Sequence, residues 1–405
     1  MLVVVVFALV YLGMALGRLP GLRIDRTGVA LLGAIVLVLD GSVDGPGALA
    51  AIDFPTLIVL FGLMVLSAQF AACGFYGWCA ARLAATPASP MGLLALVVAV
   101  GGGLSAVLAN DVVVFAVTPM LVLGLTRAGL DARPYVLALA AAANAGSAAT
   151  LIGNPQNILI GSVGALDFWA FAWQCGPPAL AAMAIVMGVV GWVWRGRLRC
   201  GPSGGPPGGQ PEAGPELDRG GVVKAGIATL GLLLLFATPL PHVEGVLMVA
   251  GVLLVSRKLA TRQLLGMVDW HLLVLFAALF VVTGALAATG LPAALLAWLA
   301  AAGLDLADPG LLTPLVVVGA NTIGNVPLVV LLLGLLPQAT PETFYALALV
   351  STLAGNLLLT GSLANIIAVE RAASVGLGIG FLEHAKVGVP ITVLSLAVAL
   401  AWLAL

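Results

Sequence analysis

The sequence predicts an all-α polytopic membrane protein built from two inverted-topology repeats. Of its 405 residues, 62% are apolar and only 8% are charged, whereas roughly 25% of the residues in a soluble domain are charged. Apolar stretches close to the roughly 20 residues that span a bilayer recur along the chain. The same series of segments occurs on both sides of one polar linker.

The charge balance and the motif content exclude several classes of function. The 16 Lys and Arg residues against 17 Asp and Glu residues give a net charge of −1, so the chain lacks the basic excess that drives nucleic-acid binding. The four cysteines form no CxxC pair, which argues against a zinc site. No motif places a nucleophile or a metal beside a base. We therefore expect no enzyme activity and no cofactor apart from a coupling sodium ion or proton.

Ten segments are predicted to cross the membrane completely, and two to enter and leave on the same side. Residues 90–126 and 311–337 each consist of two apolar arms that meet at a polar turn, which is typical of a re-entrant hairpin. Non-helical backbone at membrane depth is tolerated only inside protein or beside a water-filled cavity, so each hairpin predicts an internal site. The whole spans are residues 2–17, 27–40, 55–72, 134–160, 171–194, 224–239, 243–256, 271–288, 343–369 and 387–404.

The distribution of basic residues supports this layout. Lys and Arg in short loops collect on the cytoplasmic side of a membrane. With both termini outside and both hairpins re-entrant, all 16 basic residues fall inside. Counting one hairpin as a full crossing would split the set. The residues are Arg18, Arg23, Arg26, Arg82, Arg127, Arg133, Arg195, Arg197, Arg199, Arg219, Lys224, Arg257, Lys258, Arg262, Arg371 and Lys386.

A cytoplasmic Gly- and Pro-rich linker, residues 200–222, separates a first repeat, 1–199, from a second repeat, 223–405. Each repeat contains five spans, a hairpin and an interrupted helix. The segment that begins near Asp53 matches the one near Asp269 without a gap. A basic loop follows the first span of the first repeat but the second span of the second repeat, so the copies have opposite orientations. Inverted repeats with interrupted helices are typical of secondary transporters.

Polar side chains at membrane depth cluster at four places, namely two hairpin turns and two breaks in long helices. Half-helix N-termini attract anions, and carbonyls freed by a break suit a bare cation such as sodium. The alternative is that these side chains only link neighbouring helices, but their recurrence in both repeats favours a binding site. The candidate substrate- and ion-binding residues are Ser105, Asn110, Asp111, Gly153, Asn154, Asn157, Asn321, Thr322, Asn325, Gly361, Ser362 and Asn365.

Asp111 is the one acidic residue that this layout places near the membrane midplane. An ionised carboxylate there costs roughly 2.5–3.5 kcal/mol on the milder insertion scale. Such a group either binds a cation or takes up a proton, and we predict that Asp111 couples transport to a proton. The alternative is that it caps the second hairpin helix. Asp53 and Asp269 open their spans at the interface, where capping is the expected role.

Four motifs resemble those of the citrate-transporter-like and arsenite-permease branches of the ion transporter superfamily. They are SAVLAND at 105–111, IGNPQN at 152–157, GNVP at 324–327 and GSLAN at 361–365. The resemblance covers nearly the whole chain. It implies an inner-membrane carrier, commonly a homodimer, in which paired hairpin tips and interrupted helices form the substrate and ion sites. Some members move these sites by an elevator-like displacement.

The resemblance also implies how the candidate residues divide. Ser105, Asn110 and the Gly153-Asn154 turn would form one ion half-site. Asn325 and the Gly361-Ser362 turn would form the other.

The sequence departs from the sodium-coupled dicarboxylate carriers at both hairpin tips. Those carriers have a Ser-Asn-Thr triplet at each tip, whereas these tips read AND at 109–111 and GNV at 324–326. The Asn-Asp pair is more similar to the arsenite-permease branch. No Arg or Lys is placed at the midplane to balance a multivalent anion, so a weakly charged oxyanion or a neutral acid fits as substrate.

Three functions remain in order of preference. The first is a secondary active transporter of a small anion or oxyacid, citrate-like or arsenite-like, coupled to a proton or sodium gradient. The second is a sodium/proton antiporter with the same fold, in which Asp111 binds both cations. The third is a channel, which an inverted repeat with a closed midplane site disfavours.

Overall fold

The fold is all-helical in the part of the chain that the computed structural model describes, residues 1–16, 24–86, 89–198, 217–238, 240–336 and 339–404. The helices are α1 (Leu2–Leu16), α2 (Arg26–Leu39), α3 (Gly45–Ala51), α4 (Phe54–Ala72), α5 (Phe75–Ala85), α6 (Pro90–Val107), α7 (Asn110–Arg127), α8 (Arg133–Ser147), α9 (Pro155–Val163), α10 (Phe168–Val193), α11 (Arg219–Leu235), α12 (His242–Leu254), α13 (Thr261–Leu265), α14 (Trp270–Ala288), α15 (Leu291–Ala301), α16 (Pro309–Thr322), α17 (Asn325–Leu335), α18 (Pro341–Ala354), α19 (Leu363–Ala373) and α20 (Phe381–Leu403), with a 3₁₀ turn, Leu359–Gly361, before α19.

Six of the described helices, α4, α6, α7, α10, α14 and α20, are long and apolar enough to cross a membrane. The all-α polytopic fold class is therefore confirmed. The other predicted spans correspond to shorter apolar helices or to two helices separated by a break, as in α8–α9 and α18–α19. The count of ten whole spans and the opposite orientation of the repeats stay predictions.

Part of the predicted layout lies outside the described residues. Arg18, Arg23 and Arg199 belong to this part, as does most of the linker predicted at 200–222. The described end of that linker is helical, because α11 begins at Arg219.

The first hairpin returns to the side from which it starts. Helices α6 and α7 are joined by two residues, Leu108 and Ala109. The hydroxyl of Tyr135, at the start of α8, donates to the carbonyl of Pro90, at the start of α6, over 3.3 Å. Since the end of α7 is only a short loop away from α8, both feet of the hairpin lie at the same end of α8. Its tip therefore lies at the other end, beside the break between α8 and α9.

The second hairpin, α16 and α17, has the same relation to α18. The amide of Asn321, at the end of α16, donates to the carbonyl of Ala354, at the end of α18, over 3.0 Å. A short loop connects α17 to the start of α18. This tip therefore lies beside the break between α18 and α19.

The aligned halves also share their local turns. Asp53 accepts a hydrogen bond from Thr56 N at the start of α4, and Asp269 accepts one from Leu272 N at the start of α14. This confirms the predicted capping role, which satisfies orphan backbone donors at a helix start. Gly74 and Gly290 follow these helices with φ of 72° and 73°, a left-handed conformation that glycine adopts without a Cβ penalty.

Helices α6 and α8 pack backbone to backbone through glycine. A Cβ added to Gly146 would collide with the carbonyl of Gly102. Close approach through small residues is a general way in which membrane helices associate. The hairpin arm and the interrupted helix are therefore held in direct van der Waals contact.

We predict that Gly146→Ala destabilises the protein by about 1–3 kcal/mol, because the new methyl group overpacks a rigid backbone contact. The measurement is thermal unfolding of the purified protein in detergent. Gly103→Ala is the matched control on α6, since a Cβ at Gly103 meets no atom within 4 Å. Equal melting temperatures for the two variants would contradict the packing described above.

Candidate functional site

Every asparagine in the chain lies at a hairpin tip or at a helix break. Asparagine offers both a donor and an acceptor without a buried charge, so it can pair backbone groups that a break leaves open. Six of the eight are 4% exposed or less, Asn325 is 9% exposed, and Asn321 is partly buried. The eight are Asn110, Asn144, Asn154, Asn157, Asn321, Asn325, Asn356 and Asn365.

The two breaks are closed by the same hydrogen bonds. The amide of Asn157 donates to the carbonyls of Ser147 and Thr150, ten and seven residues earlier, over 3.2 and 3.0 Å. The amide of Asn365 donates to carbonyls ten and seven residues earlier, over 2.9 and 3.4 Å. In both breaks, an asparagine side chain therefore pairs the backbone carbonyls that the interrupted helix leaves free.

The two breaks also bond to each other. Asn154 Nδ2 donates to Thr352 Oγ1 over 3.2 Å, and Ser362 Oγ donates to Asn144 Oδ1 over 2.9 Å. Asn154 and Ser362 hold the same position in their respective breaks, immediately after a glycine. Their partners, Thr352 and Asn144, are also at equivalent positions of the two halves. The two hydrogen bonds are therefore equivalent, which supports the interpretation of the chain as two repeats.

Asn144 is the centre of this network. Its Nδ2 donates to Asn356 Oδ1 over 2.8 Å and to Asn365 Oδ1 over 3.2 Å. Its Oδ1 accepts from Asn110 Nδ2, at the first hairpin tip, over 3.2 Å. One buried amide thus joins the first tip to the second break.

The first hairpin tip is fixed against the first break. Asn110 N donates to the carbonyl of Gly153 over 3.2 Å, and Ala109 N donates to Ser67 Oγ on α4 over 3.4 Å. Ser105 Oγ is fully buried and has no hydrogen-bond partner among the described residues. The structure therefore brings together Ser105, Asn110 and the Gly153-Asn154 turn, and it leaves one buried hydroxyl without a hydrogen-bond partner among the described residues.

Asp111 follows Asn110 at this tip and lines a cavity of about 40 Å³ between the tip, the first break, α4 and the start of α14. We call this the inner cavity. Its walls include Asn154, Met64 and a second carboxyl group, that of Asp269. Ala109, which precedes α7, makes no side-chain cap, and the Asp111 carboxylate accepts no hydrogen bond in the described part of the chain. The geometry therefore does not support capping as the role of Asp111.

The second hairpin tip is less closely joined to the central network. Asn321 donates to Ala354 O and accepts from Leu358 N, which places it against the second break beside Gly361. Asn325 bonds only the adjacent backbone, over 3.0 Å to Val326 N. The hydroxyl of Thr322 donates to carbonyls of its own helix and the residue is exposed. Thr322 is thus the predicted site residue that the structure leaves apart.

Several residues reach the site that were not among the candidate site residues: Asn144, Asn356 and Ser67, described above, and three more. Thr352 bonds the first break, although it lies in an apolar stretch of α18. Asp269 lines the inner cavity in addition to capping α14. Arg26, predicted as a loop residue, begins α2, and its Nη1 would lie 3.7 Å from a Cβ on Gly324. A positive charge therefore lies beside the second tip, while the absence of Arg and Lys from the membrane midplane stays a prediction. Of the last three, only Thr352 could have been found from the sequence, by extending the repeat alignment until it pairs Thr352 with Asn144.

A larger cavity of about 510 Å³ lies next to the inner cavity. It is lined by described residues of the α9–α10 and α11–α12 connections and by Val59, Leu151, Ile152 and Ile158. The connection residues are Gly161, Ser162, Ala165, Leu166, Asp167, Phe168, Phe236, Thr238, Leu240, Pro241, His242 and Val243. We call this cavity the vestibule. Its polar lining includes Asp167, Thr238 and His242.

Hairpin tips that meet broken helices around an internal polar site are the architecture of membrane transporters. This is the class that the fold and the site define. Comparison with known families identifies the branch: the citrate transporter family model matches residues 4–354. The chain belongs to the citrate transporter family, in agreement with the resemblance noted from its motifs.

Individual relatives agree with this assignment. The chain is 30% identical to an uncharacterized transporter of Mycobacterium tuberculosis, over 94% of both chains. It is 28% identical to the silicon efflux transporter of Oryza sativa subsp. japonica, over 94% of this chain and 93% of the relative. The inner membrane protein YbiR of Escherichia coli is 32% identical over 80% of this chain and 81% of its own length.

A solved structure shares the fold. The YdaH transporter of Alcanivorax borkumensis, described as having an unusual topology, matches with a TM-score of 0.57 at 15% identity. The match covers 100% of this chain and 95% of that one. The protein is therefore a multi-pass membrane transporter by family, and it shares the fold of this solved structure.

We predict that Asn144→Leu strongly destabilises the folded protein. The change leaves Asn110 Nδ2 and Ser362 Oγ without their partner, and each unpaired buried group costs about 1–3 kcal/mol. Thermal unfolding in detergent measures the loss. Thr229→Val is the control, because that hydroxyl bonds only a carbonyl of its own helix. A melting temperature for Asn144→Leu equal to that of the control would refute the central role of this amide.

Proposed function

We propose that the protein is a secondary active transporter of a small oxyacid, coupled to a proton by Asp111. The observation that carries this proposal is the position of Asp111, at a hairpin tip, on the wall of the inner cavity and without a partner for its carboxylate among the described residues. An ionised carboxylate at membrane depth is costly. Proton uptake or ligand binding removes that cost.

The volume of the inner cavity limits the substrate. One water occupies roughly 10–15 Å³ of such space, so about 40 Å³ holds three or four oxygen atoms. An acid with a single central atom and a few hydroxyl groups matches this size. Citrate is several times larger and requires the cavity to open.

The charge of the inner cavity favours a neutral or weakly charged acid. Asp111 and Asp269 both line it, and two carboxylates repel a multivalent anion. Carboxylates and the nearby Asn154 amide can instead hydrogen-bond the hydroxyl groups of an uncharged acid. The rice relative is named for silicon efflux, and dissolved silicon at neutral pH is the uncharged tetrahydroxy acid. That name is consistent with the chemistry proposed here.

A sodium/proton antiporter is the second candidate. The observation that favours it is the same pair of carboxylates, since hard cations prefer oxygen ligands. Ser105 Oγ, unpaired in the described structure, adds one more oxygen near the tip. In this case Asp111 exchanges sodium for a proton and no oxyacid is carried.

The surroundings of the transporter form part of the proposal. We propose that both termini lie outside and that the loops with basic residues lie in the cytoplasm, because Lys and Arg collect on the cytoplasmic side. We assign the protein to the cell inner membrane, as the resemblance implies, and propose a homodimer on the same ground.

Asp111→Asn is expected to abolish proton-driven uptake of the oxyacid while the protein stays folded. The amide keeps the size of the side chain but cannot take up and release a proton. Uptake into proteoliposomes under an imposed pH gradient is the measurement. Asp40→Asn is the control, since Asp40 lies exposed at the end of α2 and accepts only from Ser42. Normal gradient-driven uptake by Asp111→Asn would exclude the coupling role.

Ligand-dependent stabilisation tests the substrate class. A ligand that binds only the folded state stabilises it by about 2.7 kcal/mol at 100 times its dissociation constant. We expect silicic or arsenous acid to raise the melting temperature of the purified protein more than citrate, succinate or sulfate at equal concentration. A rise with citrate alone would reject the small-oxyacid proposal. A response to sodium and pH without any effect of acids would select the antiporter.

A further inference from the structure

The vestibule and the inner cavity share a wall made of two isoleucines. Ile152 and Ile158 line both cavities, and they are the two described residues that do so. Ile152 lies in the non-helical break and Ile158 in the first turn of α9. Their side chains are 4% and 7% exposed. These two side chains therefore lie at the boundary between the cavities.

An apolar wall at this place is a barrier to polar solutes. Hydrophobic constrictions close pathways because water leaves them, which strips a polar or charged solute of its hydration. Isoleucine suits this role because branching at Cβ leaves its side chain few rotamers. The wall thereby separates polar groups of the two cavities, such as Asp111 on one side and Asp167 and His242 on the other.

The position of Ile152 allows it to move at low cost. Residues of the break are not part of a continuous helical hydrogen-bond ladder. Gly153 follows it directly, and the nearby bonds that hold the break come from the side-chain amides of Asn154 and Asn157 and from Asn110 N, which donates to the carbonyl of Gly153. Rotation of Ile152 therefore breaks no backbone hydrogen bond of α8 or α9.

The second half lacks this pair. The residue that precedes Gly361, as Ile152 precedes Gly153, is Thr360, and it is exposed. Ile366 follows Asn365 as Ile158 follows Asn157, but it is only partly buried. The apolar wall is thus a feature of the first break, and the two breaks differ in how they are closed to solute.

We propose that Ile152 and Ile158 form a hydrophobic gate between the vestibule and the inner cavity. This inference rests on the proposed transport function for its purpose, but its test needs no substrate. With the predicted topology, both connections that form the vestibule face the outside, so the gate controls access to Asp111 from that side. The gate opens by displacement of the two side chains when a ligand passes.

Cysteine accessibility tests the gate. Met64→Cys, in a background with the four native cysteines replaced by alanine, reports on the inner cavity, which Met64 lines. The measurement is the rate of labelling by a membrane-impermeant thiosulfonate added to the vestibule side of proteoliposomes. A minor open state is commonly populated at about 0.1–10%. Ile152→Ala or Ile158→Ala is therefore expected to raise the labelling rate about tenfold or more.

Two controls keep the result specific. Ile160→Ala truncates a buried isoleucine of the same helix that lines neither cavity, and it should leave the Met64→Cys rate unchanged. Thr238→Cys, in the vestibule, should label at one rate with or without the gate substitutions. If the alanine variants fail to fold, Ile158→Thr replaces them, because it keeps the branched shape and introduces a hydroxyl that favours water.

Unchanged labelling of Met64→Cys in folded gate variants would overturn the gate, as would an equal rise with Ile160→Ala. Either result leaves the transport proposal standing, since that proposal is tested separately by gradient-driven uptake. Conversely, a protein that carries no oxyacid can still show the gated labelling. The two proposals therefore fail independently.

Discussion

The structure depends on one constraint, which is that two long helices are broken where lipid supplies no hydrogen-bond partner. Unpaired backbone groups in that environment cost several kcal/mol each. Asn157 and Asn365 meet this requirement with amide donors to the carbonyls of their own breaks. Asn144 then links the breaks to each other and to a hairpin tip. The polar side chains of the interior are therefore needed to hold the two breaks together.

The two breaks are closed by the same hydrogen bonds, but the hairpin tips beside them differ chemically. The first tip carries Asp111 where the second has Val326. Arg26, from a helix outside the hairpin, lies beside the second tip. One half thus presents negative charge to its surroundings and the other lies next to a positive charge. A duplicated framework has room for two different tasks, because the side chains of Asp111 and Val326 form none of the described hydrogen bonds that hold it.

The sequence predicted the parts of this site that are set locally. Hairpin limits at 90–126 agree with helices that end at Arg127, because Pro90 favours a helix start and a polar turn marks the tip. Contacts between distant segments could not be predicted in the same way. Asp269 meets the first tip, and Arg26 the second, only because the two halves pack together. Residue spacing within one segment carries no information about such approaches.

The glycine contact between α6 and α8 has a mechanical consequence. The backbones of the two helices touch at Gly102 and Gly146, with no side chains between them. Close-packed protein interiors have few voids, so one helix cannot shift past the other without a collision. The hairpin arm and the broken helix must then travel as one rigid piece, and Asn110, bonded to Gly153 O, travels with them. Across the inner cavity this piece faces α4 and the start of α14, so a motion that keeps the glycine contact intact can change the separation of Asp111 from Asp269 only by moving the whole piece against those helices.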